Sequence, residues 1–389
     1  MGWLLGRRSR SKRSRSSRKN DRSFSTSIPL LRWLGPSFTF SGIVGLLFMV
    51  VTGRIDLSVF DQWMGNGENP IGELIADSGQ PQRSRIEPVA LQMDNRSRET
   101  IRIATFNIQF FGPSKVSNPQ IMQSIARIVS QFDVVAIQEI RNGQVSPIGE
   151  LVSLLRASGA SYSSSVSESI GEGDRYKEAY AFVYDQSRIA MIPGSAYVVQ
   201  DPDELMSREP MVASFETRTG SPDGRPPFRF TLINVHTSPS EVAENAIINE
   251  MNVLDDVFTS VRNYEYGMTG EEDFILLGDL NVDTAGLREL GQIPSVFSIA
   301  GDAMTNTRRT KTYDHILIDR NMTTEFTGRY GILDLQNTFG ISEEEALKIS
   351  DHFPVWAEFT IYEAPRLTPQ VPPIATRNQT RDQASGTRY

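Results

Sequence analysis

Between about residues 99 and 362 the apolar positions follow two rhythms, one of period two and one of period close to four. Residues 101–108, IRIATFNI, predict a strand ending near Asn107. Asn118 followed by Pro119 supplies an N-cap and a proline at the first helical position, and Met122, Ile125, Ile128 and Val129 then recur at helical spacing. Residues 133–137 form a short apolar run of the kind buried on both faces, with Glu139 just past its end. Residues 230–236 and 274–277 read as further strands, and Ser342 with Glu345 makes a capping box for a helix ending near Lys348. A last strand, 355–361, places Val355, Ala357, Phe359 and Ile361 on one face. Strands alternating with helices predict an α/β domain over 99–362.

The flanks lack this patterning. Residues 1–32 are a Ser/Arg-rich basic tail, too charged to bury anything and expected to be disordered. Residues 33–53 carry no charge, and these 21 residues are just enough for a bilayer-spanning helix, which needs roughly 20. They read as a signal-anchor, as a signal peptide that is removed, or as a buried helix. The basic tail ahead of them predicts that the remainder is exported, either membrane-anchored or secreted. Residues 54–98 read as a linker, and 363–389 as a disordered tail.

Charge sharpens the picture. Residues 1–37 hold ten of the 39 basic residues and one of the 47 acids, leaving the rest of the chain at −17. Such a domain is no basic nucleic-acid clamp. If it handles a polyanion, divalent cations and a local basic strip must offset the repulsion. Cysteine is absent, which excludes disulfides, zinc-thiolate sites and a thiol nucleophile.

The chain's three histidines each adjoin an acid or a strand end: His236, His315 after Asp314, and His352 after Asp351. Such placing points to acid-base chemistry, because a neighbouring carboxylate can fix an imidazole's tautomer and raise its pKa. Neighbours in a strand face opposite ways, so only one of Asp314 and His315 can serve a common site. Asp314 is the functional candidate, and His315 is assigned a structural or surface role. Asp279 and Asn281 follow a buried run and a glycine, and in extended backbone they would point the same way. Hard oxygen ligands of this kind suit magnesium or calcium.

Eight blocks in order, ATFNI at 104, IQEI at 137, YKE at 176, SREP at 207, NVH at 234, GDLN at 278, YD at 313 and SDHFPV at 350, resemble the endonuclease/exonuclease/phosphatase superfamily, most closely its deoxyribonuclease I branch. The resemblance spans about 101–359. It implies a four-layer α/β/β/α sandwich of two mixed β-sheets and hydrolysis of a phosphodiester by water. Carried onto matching positions, it implies that Glu139 binds the catalytic Mg2+ or Mn2+ with Asn107 nearby, while Asp279, Asn281 and Asp351 form the opposite wall. It makes His236 with Glu178, and His352 with Asp314, the acid-base couple. Which histidine is acid and which is base stays open.

The same resemblance implies double-stranded DNA as substrate, with Arg141 and Tyr176 entering the minor groove, Arg208 on a phosphate and Tyr313 beside the site. Several positions depart from the pattern. Gln109 stands where the animal enzymes have arginine, and the stapling cysteines are missing. Asp302, Thr305 and Thr307 match a structural Ca2+ loop only in part, with Ala303 where an acid is expected; around 201–209 a second such loop is shortened. The competing readings are a membrane-associated phosphoesterase of the same superfamily, sphingomyelinase-like or phosphoinositide-phosphatase-like, an abasic-site endonuclease, and a binding module that kept the fold. Nothing in the sequence points to a protein partner, and a monomer is expected.

Overall fold

The computed structural model describes residues 96–171, 177–220 and 224–365. The tail, the uncharged run and nearly all of the linker expected at the N-terminus lie outside the described residues, as does most of the C-terminal tail. Among the described residues no helix is long and apolar enough to cross a membrane.

Among the described residues thirteen strands build two sheets: β1 (Thr100–Phe111), β2 (Val134–Ile140), β3 (Tyr162–Val166), β4 (Ala179–Asp185), β5 (Ile189–Met191), β6 (Tyr197–Val198), β7 (Met211–Thr217), β8 (Arg229–His236), β9 (Phe274–Asp279), β10 (Val296–Ser298), β11 (Asp314–Asp319), β12 (Phe326–Ile332) and β13 (Val355–Thr360). The first sheet has the order β12-β13-β1-β2-β4-β3, and the second β10-β11-β9-β8-β7-β5 with β6 also on β7. Each is mixed, with one parallel pair at its centre, β1 with β2 and β8 with β9.

Three apolar clusters explain the layering. Period-two alternation sends Ile103, Ala136, Phe182, Leu232, Leu277 and Ala357 into a core between the sheets. The opposite face of the first sheet packs on the helices Pro119–Val129 and Pro147–Ala157 through Ile125, Val129, Leu151 and Leu155. The outer face of the second packs on the helix Met251–Thr269 through Leu254 and Phe258. Helix, sheet, sheet and helix therefore stack as the expected four-layer sandwich, because each helix has one apolar stripe and each sheet two apolar faces.

Local signals hold where they rest on caps. Asn118 accepts from the backbone of Gln120 and Ile121, and Ser342 and Glu345 close their box reciprocally. Two boundaries move. The first strand runs past Asn107 to Phe111 through a register shift, and Glu139 lies inside β2 beside a matching shift. Bulges carry no periodic signature, so alternation alone ends the strand too early.

Candidate active site

At one end of the sandwich the inner-facing rows of five strands turn polar. On β1 the row Ile101, Ile103, Thr105 reaches Asn107, and on β2 Val134 and Ala136 lead to Gln138. On β8 Phe230 and Leu232 lead to Asn234 and His236, on β9 Ile275 and Leu277 lead to Asp279, and Asp314 heads the row of Ile316 and Ile318 on β11. Strand register then sets His236 beside Asp279 and Asp279 beside Asp314. Gly278 makes this alignment possible: its φ is 151°, and a Cβ there would stand 1.8 Å from the Val235 carbonyl oxygen.

Two carboxylate-backed imidazoles face each other here. His236 Nδ1 lies 2.7 Å from Glu178 Oε1, and His352 Nδ1 lies 2.8 Å from Asp314 Oδ2. Each pair crosses between the sheets, since Glu178 leads into β4 and His352 into β13 while their partners sit on β8 and β11. With Nδ1 occupied, both Nε2 atoms point inward and approach Asp279 Oδ2, at 3.5 Å and 3.6 Å. Burial draws the His236 pKa down, but the Glu178 carboxylate outweighs it and the balance is upward. Burial opposes His352 as well, and Asp314 with Asp279 and Asp351 overcomes it, raising the imidazole to about 10. Burial pushes Glu178 up, yet His236 and Arg208 hold it below its ordinary value.

Beside this pair lies a set of oxygens suited to a hard cation. The Asn107 amide Nδ2 sits between two carboxylates, 3.2 Å from Glu139 Oε1 and 2.9 Å from Asp279 Oδ2. Its Oδ1 is buried with no hydrogen-bond partner among the described residues, and so is Asp351 Oδ1. Turning the amide over would offer oxygen where nitrogen now stands, a trade that only a cation between the carboxylates would favour. Glu139 thus fits a divalent ion with Asn107 and Asp279. Its φ of 59° is a left-handed conformation that costs a Glu roughly 1–3 kcal/mol, strain of the kind held at working sites. Asp351, its pKa raised by burial and by Glu139 and Asp279, takes a hydrogen bond from Gln109 Nε2 at 2.8 Å.

One expectation is corrected. Asn281 has φ 53°, not extended backbone, so it does not project alongside Asp279. Its backbone N–H donates to Asp279 Oδ1 and its Nδ2 to the Thr237 carbonyl, each at 3.0 Å, so it braces the aspartate instead. Arg208 is buried behind His236, donating Nε to the His236 carbonyl at 3.0 Å and Nη2 to the Thr237 carbonyl at 2.9 Å, with Glu178 Oε1 3.6 Å away. A buried guanidinium needs such partners, and it steadies the dyad from behind.

Arg141 stands at the rim with its guanidinium 4.6 Å above the ring of Phe110, a residue 54% exposed. The Tyr313 ring lies 5.8 Å from that of His352, and its hydroxyl pKa is raised by partial burial and by Asp279 and Asp351. Tyr176 lies outside the described residues. His315 is structural as expected, its two nitrogens 2.8 Å from Ser298 Oγ and from the Val282 carbonyl. The calcium-like loop spends its oxygens within the protein: Asp302 accepts from Thr284, Thr305 Oγ1 from the backbone of Tyr313 and Asp314, and Thr307 donates to the Ser350 carbonyl.

Three further residues organise the site without having been singled out for it. Gln138 Nε2 bridges the sheets, 3.0 Å from Thr105 Oγ1 and 2.6 Å from Asn234 Oδ1. Tyr180 accepts the His236 backbone N–H, and Ser350 Oγ links the Asn107 carbonyl to the His352 backbone N–H. Their one sequence signal is a polar residue of inward parity inside or next to an apolar run.

The family model described as Endonuclease/Exonuclease/phosphatase family matches residues 104–352. Deoxyribonuclease-1-like 1 of Chlorocebus aethiops is 32% identical over 283 residues, covering 70% of this chain and 88% of that protein. Deoxyribonuclease-1 of Gallus gallus is 31% identical over 288 residues, covering 69% of this chain and 96% of that protein. A solved structure of an endonuclease/exonuclease/phosphatase family protein from Bacteroides thetaiotaomicron superposes with a TM-score of 0.45 at 16% identity, covering 68% of this chain and 98% of that one.

Proposed function

Since the chain belongs to the endonuclease/exonuclease/phosphatase family and is a hydrolytic phosphodiesterase of its deoxyribonuclease-like branch, we propose that it is a divalent-metal-dependent endonuclease cutting double-stranded DNA with little sequence selectivity. The observation that carries this reading is the meeting of two carboxylate-backed Nε2 atoms at Asp279 Oδ2. One imidazole takes a proton from the attacking water as its oxygen bonds to phosphorus. The other gives a proton to the leaving sugar oxygen as the old phosphorus–oxygen bond breaks. Glu178 and Asp314 hold the Nδ1 protons and stabilise each imidazolium as it forms. Mg2+ or Mn2+ held by Glu139 with Asn107 and Asp279 would neutralise phosphate charge and polarise its oxygen.

Substrate choice rests on the rim. Arg141, stacked on Phe110, offers a cation at groove depth, and an arginine placed there reads groove width more than base identity. Tyr313 flanks the scissile position. Export of the domain, with residues 33–53 as anchor or removed signal, is proposed from the sequence alone.

The test is nicking of supercoiled plasmid by the full chain in Mg2+, in Mg2+ with added Ca2+, and in chelator, beside His236→Ala. Metal-dependent nicking lost in the variant supports the proposal. Intact plasmid with cleavage of sphingomyelin or a phosphoinositide would overturn the substrate and keep the phosphodiesterase.

A further inference from the structure

Phe110 is the one exposed phenylalanine among the described residues, and it stands at the catalytic end of β1. A single exposed ring is ordinary on a protein surface, but the backbone puts this one there. Along β1 the row Ala104, Phe106 and Ile108 packs into the core beneath the helices, and strict alternation would send residue 110 there next. The register shift between Asn107 and Phe111 gives that buried place to Phe111 instead. Phe110 is left outside with a φ of 49°, which a bulky side chain seldom adopts.

Two neighbours hold it in that place. Its backbone N–H donates to Glu139 Oε2 at 2.9 Å, one hydrogen bond from a carboxylate proposed to hold the divalent ion. The Arg141 guanidinium stacks on its ring. Arg141 is pinned to the same turn, its backbone N–H donating to the Phe111 carbonyl at 2.8 Å. Gly112 lets the two segments close, since a Cβ there would meet Arg141 Cβ at 3.1 Å. A fixed aromatic ring backed by a guanidinium is a surface for a flat ligand with a π-face. Charge argues the same way. The chain beyond residue 37 carries −17, so phosphate attraction alone holds DNA weakly, and stacking supplies affinity that charge does not.

We propose, building on the nuclease reading, that Phe110 is a stacking platform for an unpaired base beside the scissile phosphate, and that the enzyme therefore also cleaves single-stranded DNA. In a duplex the bases are stacked on one another and offer the ring no free face. In a single strand the base next to the cut can turn onto Phe110 while its phosphate lies at Glu139 and the two imidazoles. The reaction is the same hydrolysis: water oxygen bonds to phosphorus, and the sugar oxygen leaves with a proton.

The experiment compares the full chain with Phe110→Asn and Phe110→Trp in Mg2+ on supercoiled plasmid, on a short thymidine oligonucleotide and on the same strand with its bases removed. Asparagine accepts a left-handed backbone, so the first variant removes the ring and keeps the turn. Phe110→Asn should lower kcat/KM on the oligonucleotide by roughly 5–150-fold, mostly through KM, the range of one lost base–aromatic stack. Its loss on plasmid should be several-fold smaller, confined to the support the ring gives Arg141. Phe110→Trp should keep the oligonucleotide activity, and on the base-free strand all three proteins should act alike. Equal losses of Phe110→Asn on plasmid and oligonucleotide, or a loss that persists on the base-free strand, would overturn the proposal, since the ring would then serve the fold or the sugar–phosphate chain. So would a parent that nicks plasmid and leaves the oligonucleotide intact. A parent inert on both would overturn the nuclease reading itself, and vesicles of phosphatidylserine bound by that parent but not by Phe110→Asn would then assign the ring to a lipid surface.

Discussion

His236 and His352 stand on different sheets yet bring their Nε2 atoms to the same oxygen, Asp279 Oδ2, at 3.5 Å and 3.6 Å. Two groups that move protons in one event act as a unit. His236→Ala and His352→Ala should each lower kcat for plasmid cleavage by roughly 10²–10⁴-fold, and the double variant should fall little further. Losses that multiply would mean that the two imidazoles work independently.

Gly278 admits no side chain. A Cβ 1.8 Å from the Val235 carbonyl oxygen would push β8 and β9 apart at the pairing that aligns His236 with Asp279. Gly278→Ala should destabilise the fold by about 3 kcal/mol or more and shift the urea midpoint accordingly. A midpoint within error of the parent would show that the strands separate without cost.

Gln138 spans the sheets beneath the site. Gln138→Leu leaves the Asn234 carbonyl and the Thr105 hydroxyl without this donor in a buried setting, at a cost of about 1–3 kcal/mol for each stranded group. Adding Asn234→Leu should recover part of the loss in equilibrium unfolding, because an apolar pair needs no partner. Additive losses in that double-mutant cycle would deny the coupling.

Much of this was legible beforehand because it rests on local rules. Caps at Asn118 and Ser342 fixed helix starts, and the parity of Val355, Ala357 and Phe359 fixed a buried face. The dyads were reached through motif resemblance, since Glu178 lies 58 residues from His236 and no periodicity links them. What escaped depends on backbone irregularity or three-dimensional neighbours. The left-handed turns at Glu139 and Asn281 moved a strand end and redirected an amide. Arg208 differs again, for nothing in its tetrapeptide says that two carbonyls of β8's end will claim its donors.

His315 supplies a pH test. Burial holds its pKa below the ordinary value, so the folded state keeps it neutral while the unfolded chain protonates near pH 6.5. Its contribution is therefore complete above about pH 6.5 and is lost as the pH falls through and below that point. His315→Gln should flatten the stability profile between about pH 7 and 5 relative to the parent, in urea unfolding across that range. Parallel profiles would mean that the imidazole is already charged in the fold.

The hydrogen bonds that define the site, Glu178 to His236, Asp314 to His352, Asn107 to Asp279 and Gln138 to Asn234, all run from one sheet to the other. The apolar slab between the sheets is thus the spacer that sets the gap across which protons are handed. A core substitution that lets the sheets drift by a few tenths of an ångström would leave the fold cooperative while stretching all four links at once. Enzymatic turnover in this protein is then a caliper on its core, and on warming it should fail before the chain melts.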